Sequence, residues 1–131
     1  MKVFVVDDSR VIRERLVALI SGLACVEVIG EARDACDAIR DIRALNPDVV
    51  ILDIRMPGES GIDVLDSVRK AKNPPKVIML TNYPFPQYRR KCMDAGADFF
   101  LDKSTEFEKV ADILKQIAEN SRETNDNEGG T

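Results

Sequence analysis

Four short apolar runs punctuate the chain: Val3-Phe4-Val5-Val6, Val49-Val50-Ile51-Leu52, Val77-Ile78-Met79-Leu80 and Phe99-Phe100-Leu101. Each is nearly continuous rather than alternating, the pattern of strands buried on both faces of a parallel sheet. A fifth strand, Val26-Glu27-Val28-Ile29, is expected to stop at Gly30. Between these runs the apolar positions recur at helical spacing. The first helix shows Ile12, Leu16, Leu19, Ile20 and Leu23, the second Ala35, Ala38, Ile39 and Ile42, the third Ile62, Leu65 and Val68. Ser9 and Asp34 stand where N-caps belong, while Asn46-Pro47 and Asn73-Pro74-Pro75 stop the second and third helices. Met56-Pro57-Gly58 reads as a loop. Pro84 and Pro86 delay the fourth helix, which runs to Asp94 and exits through Ala95-Gly96-Ala97. Thr105 and Glu108 have the spacing of a capping box that opens a fifth helix, with Phe107, Val110, Ala111, Leu114 and Ile117 inside. Strict alternation of this kind predicts an α/β fold with helices covering both faces of a parallel sheet.

The apolar pattern ends near Glu119. Residues 1–119 read as one domain, and 120–131 as a polar, disordered tail. A chain of 131 residues can bury a core without disulfides. Its three cysteines are widely spaced, with no CxxC pair and no histidine, which argues against zinc and for reduced thiols. Without histidine there is no Ser-His or Cys-His nucleophile pair, so any chemistry falls to carboxylates. Acidic residues number 23 against 19 basic ones, a balance that argues against direct nucleic-acid binding. Lys2 precedes only four apolar residues, unlike a signal peptide, and no run nears the ~20 apolar residues of a membrane span. The expectation is a cytoplasmic protein with no membrane contact.

Polar residues stand where the apolar runs stop: Asp7 and Asp8, Asp53, Thr81 and Lys103. Singly, each has an ordinary structural reading. Asp7-Asp8-Ser9 could cap a helix, Asp53 could belong to a turn, Thr81 could close a strand, and Lys103 could be a solvated charge. Jointly they mean more, because the carboxyl ends of parallel strands share one edge, where ligands bind. Three carboxylates gathered there repel one another unless a divalent cation or the lysine intervenes. The set suits Mg²⁺ and a phosphoryl group.

The segments VVDDS (5–9), VILDIRMPGESG (50–61), IMLT (78–81) and AGADFFLDKS (95–104) resemble the receiver domain of two-component response regulators over residues 2–118. The resemblance implies a flavodoxin-like, doubly wound five-stranded sheet of order 2-1-3-4-5 with five helices. It casts Asp53 as the phosphoacceptor for a phosphohistidine of a sensor kinase or phosphotransfer protein. It also implies Mg²⁺ (or Mn²⁺) on Asp8 and Asp53, on Asp7 through water, and on the backbone carbonyl of Arg55. Lys103 and Thr81 would bind the phosphoryl group. Thr81 and Phe100 would form a switch that alters the face of the fourth helix, fifth strand and fifth helix for a downstream protein. On this reading the chain is not an enzyme beyond its own phosphorylation and dephosphorylation.

Departures from the family pattern carry expectations of their own. Ser104 follows Lys103 where proline is common, so a trans bond is expected, since a non-proline cis bond costs ~2.5–4 kcal/mol. Asn82 stands where a smaller residue leaves a path to the phosphoryl group, and Arg55 and Tyr83 occupy positions that tune its lifetime. Pro84-Phe85-Pro86 reads as a helix start, and Arg89-Arg90-Lys91 as a solvated helix face. The expectation is a stand-alone receiver that signals by protein contact or relays phosphate. Rival readings are the receiver part of a DNA-binding regulator, a Mg²⁺-dependent phosphatase using Asp53, and a flavodoxin-like binding module. Arg55 disfavours the phosphatase, because an acid-base carboxyl is expected two residues after the nucleophile. The acidic pocket disfavours a flavin phosphate.

Overall fold

The computed structural model describes residues 1–56 and 60–129, with side chains as far as Ser121. Pro57 and Gly58 of the expected loop lie outside the described residues. Five parallel strands form one sheet: β1 (Lys2–Val6), β2 (Glu27–Ala32), β3 (Val49–Leu52), β4 (Lys76–Thr81) and β5 (Phe99–Asp102). Their order is β2-β1-β3-β4-β5, as expected. Helices α1 (Arg10–Ser21), α2 (Ala35–Leu45), α3 (Gly61–Arg69), α4 (Pro86–Asp94) and α5 (Lys109–Gly129) alternate with them.

The strands are apolar throughout because each sheet face meets helices. Phe4, Val6, Val50, Leu52, Val77 and Met79 pack against Ala38 and Ile42 of α2, Leu65 of α3 and Cys92 of α4. Alternate residues Val3, Val5, Val49, Ile51, Ile78 and Leu80 meet Leu16 and Ile20 of α1 and Val110 and Leu114 of α5. The period of two along each strand thus splits the core into two layers. Ser9 caps α1 by accepting the Ile12 N–H, and Asp34 caps α2 by accepting that of Asp37. Asn46 closes α2 in the left-handed conformation (φ 49°), which asparagine tolerates.

Several boundaries differ from the sequence reading. β2 does not stop before Gly30 but continues to Ala32, with a register shift that leaves Ile29 unpaired opposite Val3 and Phe4. Gly30 is needed there as a close approach, since a Cβ would stand 2.7 Å from the Phe4 ring. α3 ends at Arg69, ahead of Asn73-Pro74-Pro75. α5 begins at Lys109 rather than after Thr105, and turns occupy the segment between them. In place of a Thr105–Glu108 box, Glu106 binds back to Asp102. Helical backbone extends to Gly129, although no apolar residue follows Ala118 to hold that stretch on the core.

Candidate functional site

The carboxyl edge of the sheet brings the five strand-end residues together. Asp7 follows β1, its N–H bonded to the Ala32 carbonyl, and Asp53 follows β3, its N–H bonded to the Val6 carbonyl. Both are almost fully buried, whereas Asp8 is exposed. One carboxylate oxygen from each of Asp7, Asp8 and Asp53 lies within 4.8 Å of the others. Lys103, anchored by its backbone N–H on the Thr81 carbonyl at 2.8 Å, reaches inward beneath them. Its Nζ donates to Asp7 Oδ2 at 2.6 Å and to Asp53 Oδ2 at 3.0 Å.

The second oxygen of each buried carboxylate also accepts a backbone N–H. Asp53 Oδ1 accepts the Ile54 N–H at 2.7 Å, and Asp7 Oδ1 accepts the Ser9 N–H at 2.8 Å. The Asp53 carboxylate is therefore held at both oxygens. Burial raises the Asp7 carboxyl above its usual range, even though Lys103 and Ser9 pull it the other way. For Lys103, burial acts to lower the value, and the contacts with Asp7 and Asp53 overcome it, holding the ammonium above its ordinary range. Lys103 stays charged because two carboxylates need it.

Three clustered carboxylates against one ammonium leave two formal negative charges. Hard oxygen donors with one exposed member fit Mg²⁺ (or Mn²⁺), which keeps part of its water shell. Asp7, Asp8 and Asp53 have the right chemistry and mutual spacing for it.

Thr81 is fully buried, and its hydroxyl accepts the Tyr83 N–H at 3.0 Å. Phe100 is buried in the core layer of Met79 and Cys92. Asn82 is exposed and lines an open cleft of 630 Å³ with Lys103, Ser104 and Phe107. A larger cleft of 780 Å³ lies at the opposite edge of the sheet, beside Met1, Asp48, Lys76 and Asp98, away from the acidic cluster. Arg55 spans two loops: its guanidinium lies 4.2 Å from the Tyr83 ring centroid and 3.5 Å from the Tyr88 hydroxyl. Every peptide bond among the described residues is trans, Lys103–Ser104 included.

Three supporting residues escape a reading by strand ends. Arg13 donates to the Asp7 carbonyl at 2.8 Å and pairs with Glu31 at 3.3 Å, fixing the end of β1. Glu106 accepts the Asp102 N–H at 3.0 Å and shapes the turn after Lys103; its bond to Lys109 holds its carboxyl below the usual range. Gly61 donates to the Ile54 carbonyl at 2.6 Å, and a Cβ there would fall 1.8 Å from the Asp53 carbonyl oxygen. Only a glycine lets α3 start so close to Asp53. The signal for it was the last glycine of MPGESG, placed at the opening of a helix.

Comparison with known proteins identifies the family. The family described as "Response regulator receiver domain" matches residues 3–115. The chain belongs to the response regulator receiver domain family, a family of signalling domains. It is 33% identical over 116 residues to the sensory transduction protein LytT of Bacillus cereus, covering 88% of this chain and 46% of that protein. It is 33% identical to the uncharacterized transcriptional regulatory protein YvfU of Bacillus subtilis, covering 93% of this chain and 61% of that one. The chain thus spans about half the length of the curated relatives it matches. Among solved structures, the response regulator domain of Thermotoga maritima CheB aligns with a TM-score of 0.80 at 32% identity, covering 91% of this chain and 94% of that one. The receiver domain of the putative response regulator NarL from Mycobacterium tuberculosis aligns at 0.82 and 33%, covering 90% and 95%. No helix among the described residues is long and apolar enough to cross a membrane.

Proposed function

We propose that the chain is a phosphoryl-accepting signalling domain, with Asp53 the acceptor. The observation that carries this reading is Lys103 bridging Asp7 and Asp53 while their oxygens and one of Asp8 lie within 4.8 Å. In the reaction, a carboxylate oxygen of Asp53 bonds to phosphorus and the P–N bond of a phosphohistidine breaks. The imidazole nitrogen leaves with the electron pair and takes a proton from solvent. The product is an acyl phosphate on Asp53.

Each residue has a task in that step. The Ile54 N–H and Lys103 fix the plane of the Asp53 carboxylate before attack, which lowers the entropic part of the barrier. The Lys103 ammonium neutralises charge on the transferring group, the main service a phosphoryl-transfer site renders. Asp8 and Asp53 would hold Mg²⁺ directly, with Asp7 through water and the Arg55 carbonyl completing the set. That ion supplies charge neutralisation and alignment of phosphoryl oxygens when bound. The Thr81 hydroxyl, which accepts the Tyr83 N–H in the free protein, turns to donate its own proton to a phosphoryl oxygen, and Phe100 follows into the space released. The face formed by α4, β5 and α5 then changes for a downstream protein, a shift between two packings. A structure of Borrelia burgdorferi CheY with CheX, BeF₃ and Mg, aligning at a TM-score of 0.75 and 26% identity, supports this chemistry by analogy.

The donor of the phosphoryl group is a sensor kinase or a phosphotransfer protein, and the setting is the cytoplasm. Direct nucleic-acid contact forms no part of this reading. A second reading, the receiver part of a DNA-binding regulator, is favoured by the longer curated relatives, among them transcriptional regulatory proteins. The length of the open reading frame separates the two.

The test is intact mass after incubation with acetyl phosphate and Mg²⁺. One added phosphoryl group is expected, lost in Asp53→Asn and on chelation. An adduct that survives in Asp53→Asn would place the acceptor elsewhere and overturn the assignment.

A further inference from the structure

Arg13, half-buried near the start of α1, meets two partners at once. Its Nη1 donates to the Asp7 carbonyl at 2.8 Å, and its Nε lies 3.3 Å from Glu31 Oε1 on β2. Among the described residues it is the one arginine whose guanidinium donates to a backbone carbonyl. Its side chain is 17% exposed, against 83% and 69% for Arg10 and Arg40, the other arginines in ion pairs among those residues.

The carbonyl that Arg13 holds belongs to the peptide joining Asp7 to Asp8. A peptide is planar, so fixing that oxygen fixes the plane from which the Asp8 Cα leaves. The edge strand β2 grips Asp7 from its other side, where the Ala32 carbonyl accepts the Asp7 N–H at 3.1 Å. Beyond Asp8, the Ser9 N–H is bonded to Asp7 Oδ1 and the Ser9 hydroxyl caps α1. The Asp8 side chain has no such hold. Among the described residues its carboxylate makes no hydrogen bond and stands at ion-pair distance from no cation, whereas Asp7 and Asp53 are each held at both oxygens. The direction of Asp8 is thus set by its backbone, and Arg13 fixes that backbone.

We propose that Arg13 is a positioning residue for the divalent cation: with Glu31 it orients the Asp7–Asp8 peptide so that Asp8 meets Mg²⁺, and it sets the affinity for the ion without touching it. The inference rests on the metal reading above and assigns the residue that tunes that site. Arginine is needed because one rigid guanidinium plane serves both partners, where a lysine ammonium lacks the fork. Glu31 has a second task. An unpaired cation beside the cluster would repel Mg²⁺, and the paired carboxylate cancels that charge. The loop is held by a cation without adding net charge against the ion.

The test is calorimetric titration of Mg²⁺ into the full chain, as wild type, Arg13→Lys, Arg13→Gln and Glu31→Gln, with melting temperatures in chelator measured alongside. Arg13→Lys keeps the charge and loses the fork. Its dissociation constant is expected to rise about tenfold, the low end of what losing the residue behind a metal ligand does to affinity. Arg13→Gln should weaken binding to a similar degree, and here the sign discriminates: removing a positive charge near the cluster would by itself tighten binding. Glu31→Gln should weaken it by only about two- to threefold, a loss that added salt diminishes. In an Asp8→Asn background, titrated to higher Mg²⁺, Arg13→Lys should make no further difference, because the ligand it orients is gone. A residue that only stabilised the fold would lower the melting temperature in chelator and leave the Mg²⁺ constant of the folded protein unchanged. Unchanged affinity in Arg13→Lys, tighter binding in Arg13→Gln, or an equal loss in the Asp8→Asn background would overturn the proposal and leave the metal reading standing. A wild type that binds neither Mg²⁺ nor Mn²⁺ is the one result in which both fall.

Discussion

At the scale of single residues, the site depends on how Arg55 and Lys103 divide the positive charge. Lys103 is buried under the carboxylates and cannot leave without stranding Asp7 and Asp53. Arg55 is exposed and places its guanidinium over the Tyr83 ring and against the Tyr88 hydroxyl. It thereby ties the loop after Asp53 to the loop after Thr81, at the ends of two neighbouring strands. A cation–π contact at an exposed site contributes about 0.5–1 kcal/mol, equivalent to a two- to fivefold change in how often the tie is open. On the phosphoacceptor reading proposed above, this pair is expected to stand in the way of water approaching an acyl phosphate on Asp53. Arg55→Ala/Tyr83→Ala is therefore expected to lose its phosphoryl group about two to five times faster than the wild type, by the same arithmetic. Decay of the phosphorylated mass over time measures it. Slower decay in the double variant would show that the pair assists water rather than excluding it.

At the scale of elements, α4 joins the site to the surface, and Cys92 fixes it to the sheet. Cys92 is fully buried beside Met79 and Phe100, and burial pushes its thiol up to about 11 from an ordinary value of 9.0. The folded state thus holds a proton that the unfolded chain gives up at lower pH. Stability from this group is complete below pH 9 and is lost as pH rises toward 11. The loss is about 1–3 kcal/mol, and Cys92→Ala should flatten that part of the curve while lowering stability at neutral pH. Urea unfolding between those two pH values checks both. An equal slope in Cys92→Ala would remove Cys92 as the cause.

The same elements show what the sequence made legible. β1, β3, β4 and β5 were readable because strands buried on both faces need no alternation, and their polar successors marked the shared edge. Gly30 looks like a stop for β2 in the sequence, whereas it is the gap into which the Phe4 ring fits. The start of α5 reads three residues early in the sequence because Thr105 and Glu108 mimic a capping box. The actual turn is built by Glu106 reaching back to Asp102, a pairing that spacing alone does not distinguish. Arg13 was hidden for a related reason: its partners, the Asp7 carbonyl and Glu31, come from β1 and β2 and meet only when the sheet forms.

At the scale of the whole molecule, electrostatics work against the fold where the chemistry is. The chain carries a formal charge of −4, and the cluster of Asp7, Asp8 and Asp53 with Lys103 concentrates part of it at one edge. A cation that binds the folded cluster and not the unfolded chain stabilises the fold by mass action, about 1.4 kcal/mol at ten times its dissociation constant. For a domain of this size that is a rise of a few degrees in Tm. Asp8 is the informative position, because it is exposed and takes no part in the Lys103 bridge. Asp8→Asn removes one repelling charge without opening a buried gap. In chelator, the variant should melt at or above the wild-type temperature; with Mg²⁺, it should gain much less. Thermal unfolding of both proteins in each condition decides the matter. If Asp8→Asn gains as much from Mg²⁺ as the wild type, the ion sits elsewhere, and the carboxylates must be balanced by Lys103 alone. If the increment collapses, the cost of gathering three acids at the sheet edge is the means by which the fold holds its cation in place.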